Sequence, residues 1–410
     1  MAAKLGPKIV NDGLVLCLDA ADANSYAGEP TTNVIKNTAT WGGDGGNQTI
    51  GSKGAVAITD ENLKYNGYDT VLWTPGTGQN CYLAGNDDIP TSETSTEWTW
   101  SCYIKSLDGG PLSVVNNNTL GVYFYKNGGG FPSESGTSIG VHVGDGWYRF
   151  VYSKSLASSY INLAGFYSFR SNLKFYLSGW QLEKKQYATP YTAPSSPRSA
   201  TNGWVDLSGN SNSGTLTNMI GTETSHYRDG QVIMPVANSY LDFDGSDDRV
   251  QISHSTQLNN AKSWEIWFKI DSFPDTSTYD SVFSKTANWN QQGGILLSLI
   301  YGNLRFSYGG YWADLAIESI SNMNTNTWYQ VVGTGEDTGS GILMKGYLNG
   351  VYKGSLTSTA AFVPTNTNAL YLGFGNGGTM NGQIAIFRVY EQTLTAADVL
   401  SNYNATKGRF

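Results

Sequence analysis

Apolar and polar residues alternate along most of this chain in short runs. Residues 97–105, EWTWSCYIK, place Trp98, Trp100, Cys102 and Ile104 on one face and Thr99, Ser101 and Tyr103 on the other. Residues 263–270, SWEIWFKI, do the same with Trp264, Ile266, Phe268 and Ile270. A period of two over this length predicts strands with one face turned to a core. Further strands are predicted at 121–125, 146–153, 160–167 and 173–183, then at 231–236, 239–243, 249–253, 281–284, 294–299, 303–308, 327–334, 341–353, 369–374 and 382–390. The one good helical pattern is LTAADVLSNYNATK near the end. Thr395 with Asp398 makes a capping-box start, and Val399, Leu400 and Tyr403 line one side.

One motif reads as cut in two. GLVLCLDAADANSY (13–26) is a buried strand running into an Asp/Asn/Ser turn, and its natural partner is WVDLSGNSNSGTLTN (204–218). The stretch between them has its own alternating strands and closes with a linker rich in Pro, Ser and Thr, KQYATPYTAPSSPRSATNG. The expected organisation is therefore a discontinuous outer domain, residues 1–29 plus 198–410, with an inner domain, residues 30–197, inserted into an early loop. The expected fold class is all-β: two antiparallel β-sandwiches with a single short C-terminal helix.

Composition agrees with this picture. At 410 residues the chain exceeds the roughly 250–300 that one core accommodates. It carries 49 Gly, 26 Tyr and 12 Trp but only 14% charged residues, the signature of strands joined by tight turns. The net charge of −8 with no basic cluster excludes a sequence-independent nucleic-acid footprint. No apolar run approaches the ~20 residues of a membrane span, and MAAKLGPKIVNDG lacks the apolar core of a secretory signal. The expectation is synthesis in a cytoplasm without export by that route. Cys17, Cys81 and Cys102 lack metal-ligand spacing and read as buried free thiols.

The outer pieces, among them YLDFDGSDDRVQI, NTWYQVVGT, GYLNGVYKGS, LYLGFGNGG and NGQIAIFRVYEQTLTAADVLSNYNATKGRF, resemble the concanavalin A-like, laminin-G-like sandwiches of tailed-phage virion proteins. The inner pieces TTNVIKN, TWSCYIKS, GWYRFVYS and FYLSGWQLEKKQYATPYTAP resemble carbohydrate-binding-module-like jelly rolls. The resemblance implies a virion surface component: a tail fibre, an adhesin, or a capsid fibre or decoration protein. The partners it implies are other virion subunits and host surface glycans, with a homo-oligomer, guessed as a trimer. The alternatives are a purely architectural capsid or tail subunit, and a polysaccharide depolymerase.

Catalysis is not expected. A glycosidase needs two carboxylates flanking the scissile bond, and the Trp-rich strand offers only Glu265, with Trp267 and Lys269 in register beside it. His142, His226 and His254 lie far apart with no nucleophile motif nearby. No cofactor is required, and Ca²⁺ is the one candidate ion. Asp206, Ser208, Asn210 and Asn212 present oxygens at alternate positions, and Asp242, Asp244, Asp247 and Asp248 cluster in YLDFDGSDDRV. The same residue types beside Gly209, Gly214 and Gly245 also close Asx turns, so both readings stand. For glycans, the aromatic candidates off the inferred core face are Tyr103, Trp267, Trp289, Tyr311 and Trp312; most Trp in a sandwich fill its core instead.

Overall fold

The structure, a computed structural model, describes residues 8–32, 50–52, 55–57, 64–65, 68–74, 80–84, 97–107, 120–126, 134–136, 140–155, 161–168, 174–185, 187–189, 191–192, 197–219, 239–275, 278–287, 293–309, 314–359, 366–375 and 378–410. The predicted strand at 231–236 lies outside these. The described residues are mostly antiparallel strand, as the alternation requires. They divide into two compact units, one built from residues up to Glu29 and from Ser199 onward, the other from Pro30 to Arg198.

In the outer unit, one sheet runs in the order Leu14–Asp19, Asn381–Tyr390, Ser263–Ile270, Trp328–Asp337, Ile342–Leu348, Val351–Ser358, with Leu241–Asp244 also paired to Asn381–Tyr390. The facing sheet runs Gly214–Thr217, Arg249–Ile252, Leu370–Leu372, Tyr279–Lys285, Ile295–Ile300, Asn303–Tyr308, Asp314–Ser319. Trp264, Ile266, Phe268 and Ile270 all point into the core, where Trp264 stacks on Phe283 with ring centroids 5.7 Å apart.

Leu14–Asp19 pairs with Asn381–Tyr390, so the first strand closes against the last. The Asp206 loop seals that junction. Asp206 Oδ1 accepts from the backbone N–H groups of Cys17 (2.9 Å) and Ser208 (2.8 Å), and Oδ2 from the N–H of Asn212 (3.0 Å) and the Ser208 hydroxyl (2.8 Å). Asn212 donates to the Val15 carbonyl and Ser25 to the Val205 carbonyl. A buried carboxylate satisfied by four donors across nearly 190 residues is a strong tertiary clip.

In the inner unit, one sheet runs Val141–Gly144, Trp147–Ser155, Glu97–Ser106, Phe175–Glu183, Tyr68–Thr74, Ala55–Ala57, and Lys64–Tyr65 pairs with Tyr68–Thr74. The second runs Ile50–Ser52, Asn80–Ala84, Ile161–Ser168, Leu120–Lys126, Glu134–Gly136. Trp98, Trp100, Cys102 and Ile104 are fully buried, as the period predicts. Cys17 and Cys102 are free and buried.

Several expectations need correction. The predicted strand 341–353 is a hairpin, Ile342–Leu348 with Val351–Ser358, turned at Asn349 and Gly350, whose φ values are +51° and +78°. Asn-Gly with both residues at positive φ is the turn whose twist matches antiparallel strands. Asp314–Ser319 is a strand the pattern missed. A single five-residue turn of helix, Thr256–Asn260, precedes the Trp-rich strand. The C-terminal helix Ala396–Thr406 has the expected capping box at Thr395 and Asp398. It buries Val399 and Asn402, however, and leaves Leu400 exposed. No helix among the described residues is long and apolar enough to cross a membrane.

Candidate functional site

Glu265, the lone carboxylate of the Trp-rich strand, is fully buried in a polar network. It pairs with Arg388 Nη1 at 3.2 Å and accepts from Gln330 Nε2 (2.8 Å), Asn402 Nδ2 (2.7 Å) and the Tyr390 hydroxyl (3.4 Å). Burial opposes the Arg388 charge, yet Glu265, Tyr390, Cys17 and Asp19 together outweigh it and hold the guanidinium above its ordinary pKa. The network ties three strands to the C-terminal helix and leaves Glu265 no face for a substrate.

Two aromatic candidates are likewise structural. Trp267 is 2% exposed, stacked on Tyr403 (5.7 Å) and Phe410 (4.5 Å). It does lie on the outer face of its sheet, but the C-terminal helix and the turn after it cover that face. Tyr103, also 2% exposed, sits under Tyr65 (5.0 Å) with the Arg149 guanidinium over its ring. The expectation that these rings lie off the core is corrected by this second layer of packing. Trp289, Tyr311 and Trp312 lie outside the described residues.

Of the two oxygen-rich loops, the Asp206 set is a turn junction. The hydrogen bonds above occupy the Asp206 carboxylate, Asn212 is buried on Val15, and Asn210 caps Ser208 and the Leu14 carbonyl. These bonds are the ones the turn-forming reading of Asp206, Asn210 and Asn212 requires. Asp244, Asp247 and Asp248 differ, because their carboxylate oxygens lie within 4.8 Å of one another. Burial, then the neighbouring Asp244, Asp247 and Asp242 charges, push Asp248 up to about 6 despite a hydrogen bond from the Asp244 N–H. Crowded hard-oxygen donors of this kind fit a Ca²⁺ ion chemically.

The structure also forms a site that residue patterns did not mark. A cavity of about 410 Å³ is lined by Thr286, Ala287, Asn368, Ala369, Tyr371, Phe374 and Gly375. Its residues come from two segments about eighty positions apart, joined because Leu370–Leu372 pairs with Tyr279–Lys285, with Ser284 opposite Tyr371. Leu370 and Leu372 point to the core, so Tyr371 must project outward. One wall is the strand Phe374–Gly375, in the pair it makes with Gly378–Thr379. It lies so close to the sheet that a Cβ on Gly375 would stand 2.3 Å from Ser281 Oγ, and one on Gly378 1.7 Å from the Tyr279 carbonyl, which only glycine permits. Tyr371 and Phe374 meet edge to face at 5.6 Å, and Arg249 lies 5.1 Å from the Phe374 ring centre.

A buried hub behind the cavity fixes its polar wall. Asn366 Oδ1 accepts from both the backbone N–H (2.8 Å) and the side-chain amide (2.7 Å) of Asn368. Asn366 Nδ2 donates to the carbonyls of Lys285 (2.5 Å) and Gly293 (3.1 Å). Lys285 Nζ in turn donates to Asn259 Oδ1 (2.7 Å) and the Asn366 carbonyl (2.9 Å). With only neutral acceptors, burial brings Lys285 down to about 8. The Gly293 N–H donates to the Gly309 carbonyl (2.8 Å) and the Gly309 N–H to the Gly294 carbonyl (2.9 Å).

No curated protein matches the sequence. Among solved structures, the receptor-binding domain of the botulinum neurotoxin C/D mosaic serotype is 18% identical with a TM-score of 0.36, covering 48% of each chain. Domain 4 of AbnA, a GH43 extracellular arabinanase from Geobacillus stearothermophilus, solved with arabinotriose, is 20% identical with a TM-score of 0.34, covering 50% of this chain and 94% of that one. The Ruminococcus gnavus IT-sialidase CBM40 bound to sialyllactose is 13% identical with a TM-score of 0.31, covering 40% and 95%. This chain thus spans about half the length of the neurotoxin domain. Residues 244–400, which contain the whole cavity, match the Laminin_G_3 family model, the concanavalin A-like lectin/glucanases superfamily, supporting a domain of that type in the outer unit.

Proposed function

We propose that the outer unit is a non-catalytic glycan-binding module and that the Tyr371–Phe374 cavity is its sugar site. The observation that carries this reading is the cavity itself, which lies within the stretch matching concanavalin A-like lectins and glucanases. It presents two aromatic rings for the apolar face of a pyranose and an anchored amide and a hydroxyl for its hydroxyl groups. No carboxylate is among its described lining residues, and Glu265 is committed to its buried network, so the described lining supplies no acid–base pair for glycoside hydrolysis.

One such site binds on the order of 1 mM, about −4 kcal/mol, and many copies on one particle raise avidity without new contacts. This suits the proposed setting, a tailed-phage virion surface protein of fibre, adhesin or decoration type, made in the host cytoplasm. That setting rests on the sequence resemblance. The inner unit is proposed as an inserted carbohydrate-binding-module-like jelly roll, and Ca²⁺ at Asp244, Asp247 and Asp248 as an accessory ion.

A glycan array probed with the wild-type chain and with Tyr371→Ala tests the reading. Binding that disappears in the variant supports it, while blank arrays on host polysaccharides favour a purely architectural subunit. Immunogold microscopy of particles tests the setting. A chelator that leaves the melting temperature unchanged removes calcium from the account.

A further inference from the structure

We infer that the Tyr371–Phe374 cavity takes a carboxylate-bearing sugar, a sialic or uronic acid, with Arg249 as its counter-charge. The inference rests on the sugar site proposed above and adds the class of sugar. Arg249 shares the outer face of its sheet with the cavity. Val250 lies opposite Leu372 and Gln251 opposite Tyr371. Val250 and Leu372 are fully buried, so Arg249 and Gln251 project to the side that Tyr371 takes. The Arg249 guanidinium lies over the Phe374 ring, 5.1 Å from its centre. Phe374 itself lines the cavity, so a pyranose set against that ring comes within the span of the arginine side chain.

The lack of an acid sets this arginine apart. The other three described arginines of the outer unit each meet a carboxylate: Arg305 with Asp314 (3.2 Å), Arg388 with Glu265 (3.2 Å) and Arg409 with Asp19 (2.7 Å). Arg249 has no such partner among the described residues. Asp247 and Asp248, the acids beside it in sequence, turn to Asp244 instead. The three carboxylates lie within 4.8 Å of one another, and Asp248 Oδ2 accepts from the Asp244 N–H (3.0 Å). A guanidinium held on an aromatic face without an acid keeps its planar fork of donors for a ligand.

The charge around the cavity agrees. The chain carries a net charge of −8, yet the described lining contains no acid. Behind it lies Lys285, whose ammonium meets only the neutral oxygens of Asn259 (2.7 Å) and Asn366 (2.9 Å). A positive charge in the protein interior is screened less than one in water. Two positive groups therefore flank the site, one at its rim and one behind its wall. A neutral sugar draws on neither charge. A sugar carboxylate draws on both, and its pairing with arginine is a charge-assisted hydrogen bond.

Isothermal titration of the full chain with two matched pairs tests this: trigalacturonate against its methyl ester, and sialyllactose against lactose. The two pairs tell a uronic from a sialic ligand. In at least one pair the acid should bind about tenfold tighter than its neutral partner. That ratio should shrink between about 0.05 M and about 0.5 M NaCl, and fall to near one in Arg249→Gln. Acid and neutral sugars that bind equally, with both lost in Tyr371→Ala, overturn the inference and leave the proposed sugar site standing. An acid preference that survives Arg249→Gln also overturns it. If nothing in either pair binds, or binding survives Tyr371→Ala, the inference falls together with the proposed site. Should Arg249→Gln lose its fold, the wild-type salt series decides, and a ratio unchanged by salt overturns the inference.

Discussion

Replacing Glu265 by alanine removes the only acid paired with Arg388 among the described residues and leaves a guanidinium that is 2% exposed without its counter-charge. The same substitution strips acceptors from Gln330, Asn402 and Tyr390, all bonded to that carboxylate. Breaking a buried ion pair from one side costs about 3–5 kcal/mol. In a domain of this size each kcal/mol lowers the melting temperature by roughly 2–4 °C, so the loss should be about 6–20 °C. The double variant Glu265→Leu/Arg388→Met separates the cost of the orphaned charge from that of lost packing. Replacing both members with apolar groups of similar volume is often close to neutral, so the double variant should melt above Glu265→Ala. Differential scanning calorimetry with a parallel guanidinium titration reads both quantities. The reasoning is refuted if Glu265→Ala lies within about 1 kcal/mol of wild type, or if the double variant is no more stable than the single one. The same proteins test function, because Glu265→Ala should keep its glycan affinity at a temperature where it is folded.

Three further outcomes follow from the geometry. Asp206→Ala removes the acceptor of three backbone N–H groups at the Cys17 junction, and should cost about 2–4 kcal/mol by urea denaturation, with Asp206→Asn intermediate. The folded-state pKa of Lys285, about 8, lies below its ordinary 10.5, so its burial penalty is complete below pH 8 and relieved as pH rises toward 10.5; wild-type stability should therefore gain on Lys285→Met over that window, and parallel pH profiles would be inconsistent with it. Asp248 is raised to about 6 from 3.8, so its proton stabilises the fold below pH 3.8 and that contribution is lost as pH rises through 6; in calcium-free buffer Asp247→Asn should lower its pKa by carboxylate NMR titration and flatten that pH dependence.

Much of the fold was legible because a strand's period of two is written residue by residue. Trp98, Trp100, Cys102 and Ile104, and likewise Trp264, Ile266, Phe268 and Ile270, lie in the cores their alternation specifies. The Thr395–Asp398 cap was readable for the same reason, since both partners sit within one helical turn. The Asn349-Gly350 hairpin was equally local, and only the length of the apolar run around it obscured the turn.

Alternation assigns a residue to a face but does not say what covers that face. Tyr103 and Trp267 alternate outward, and only tertiary packing buries them, Tyr103 under Tyr65 and Trp267 under Tyr403 and Phe410. Nor does the period identify partners distant in sequence. The cavity exists because Tyr371 registers beside Ser284, and the Glu265 network because Arg388, Gln330 and Asn402 converge from three other elements. The chain's own pattern determined its strands, their inward faces and its helix cap. Non-local pairing decided which polar groups meet, because burial of a charge or an amide is favourable only where distant segments bring its partners within hydrogen-bond reach.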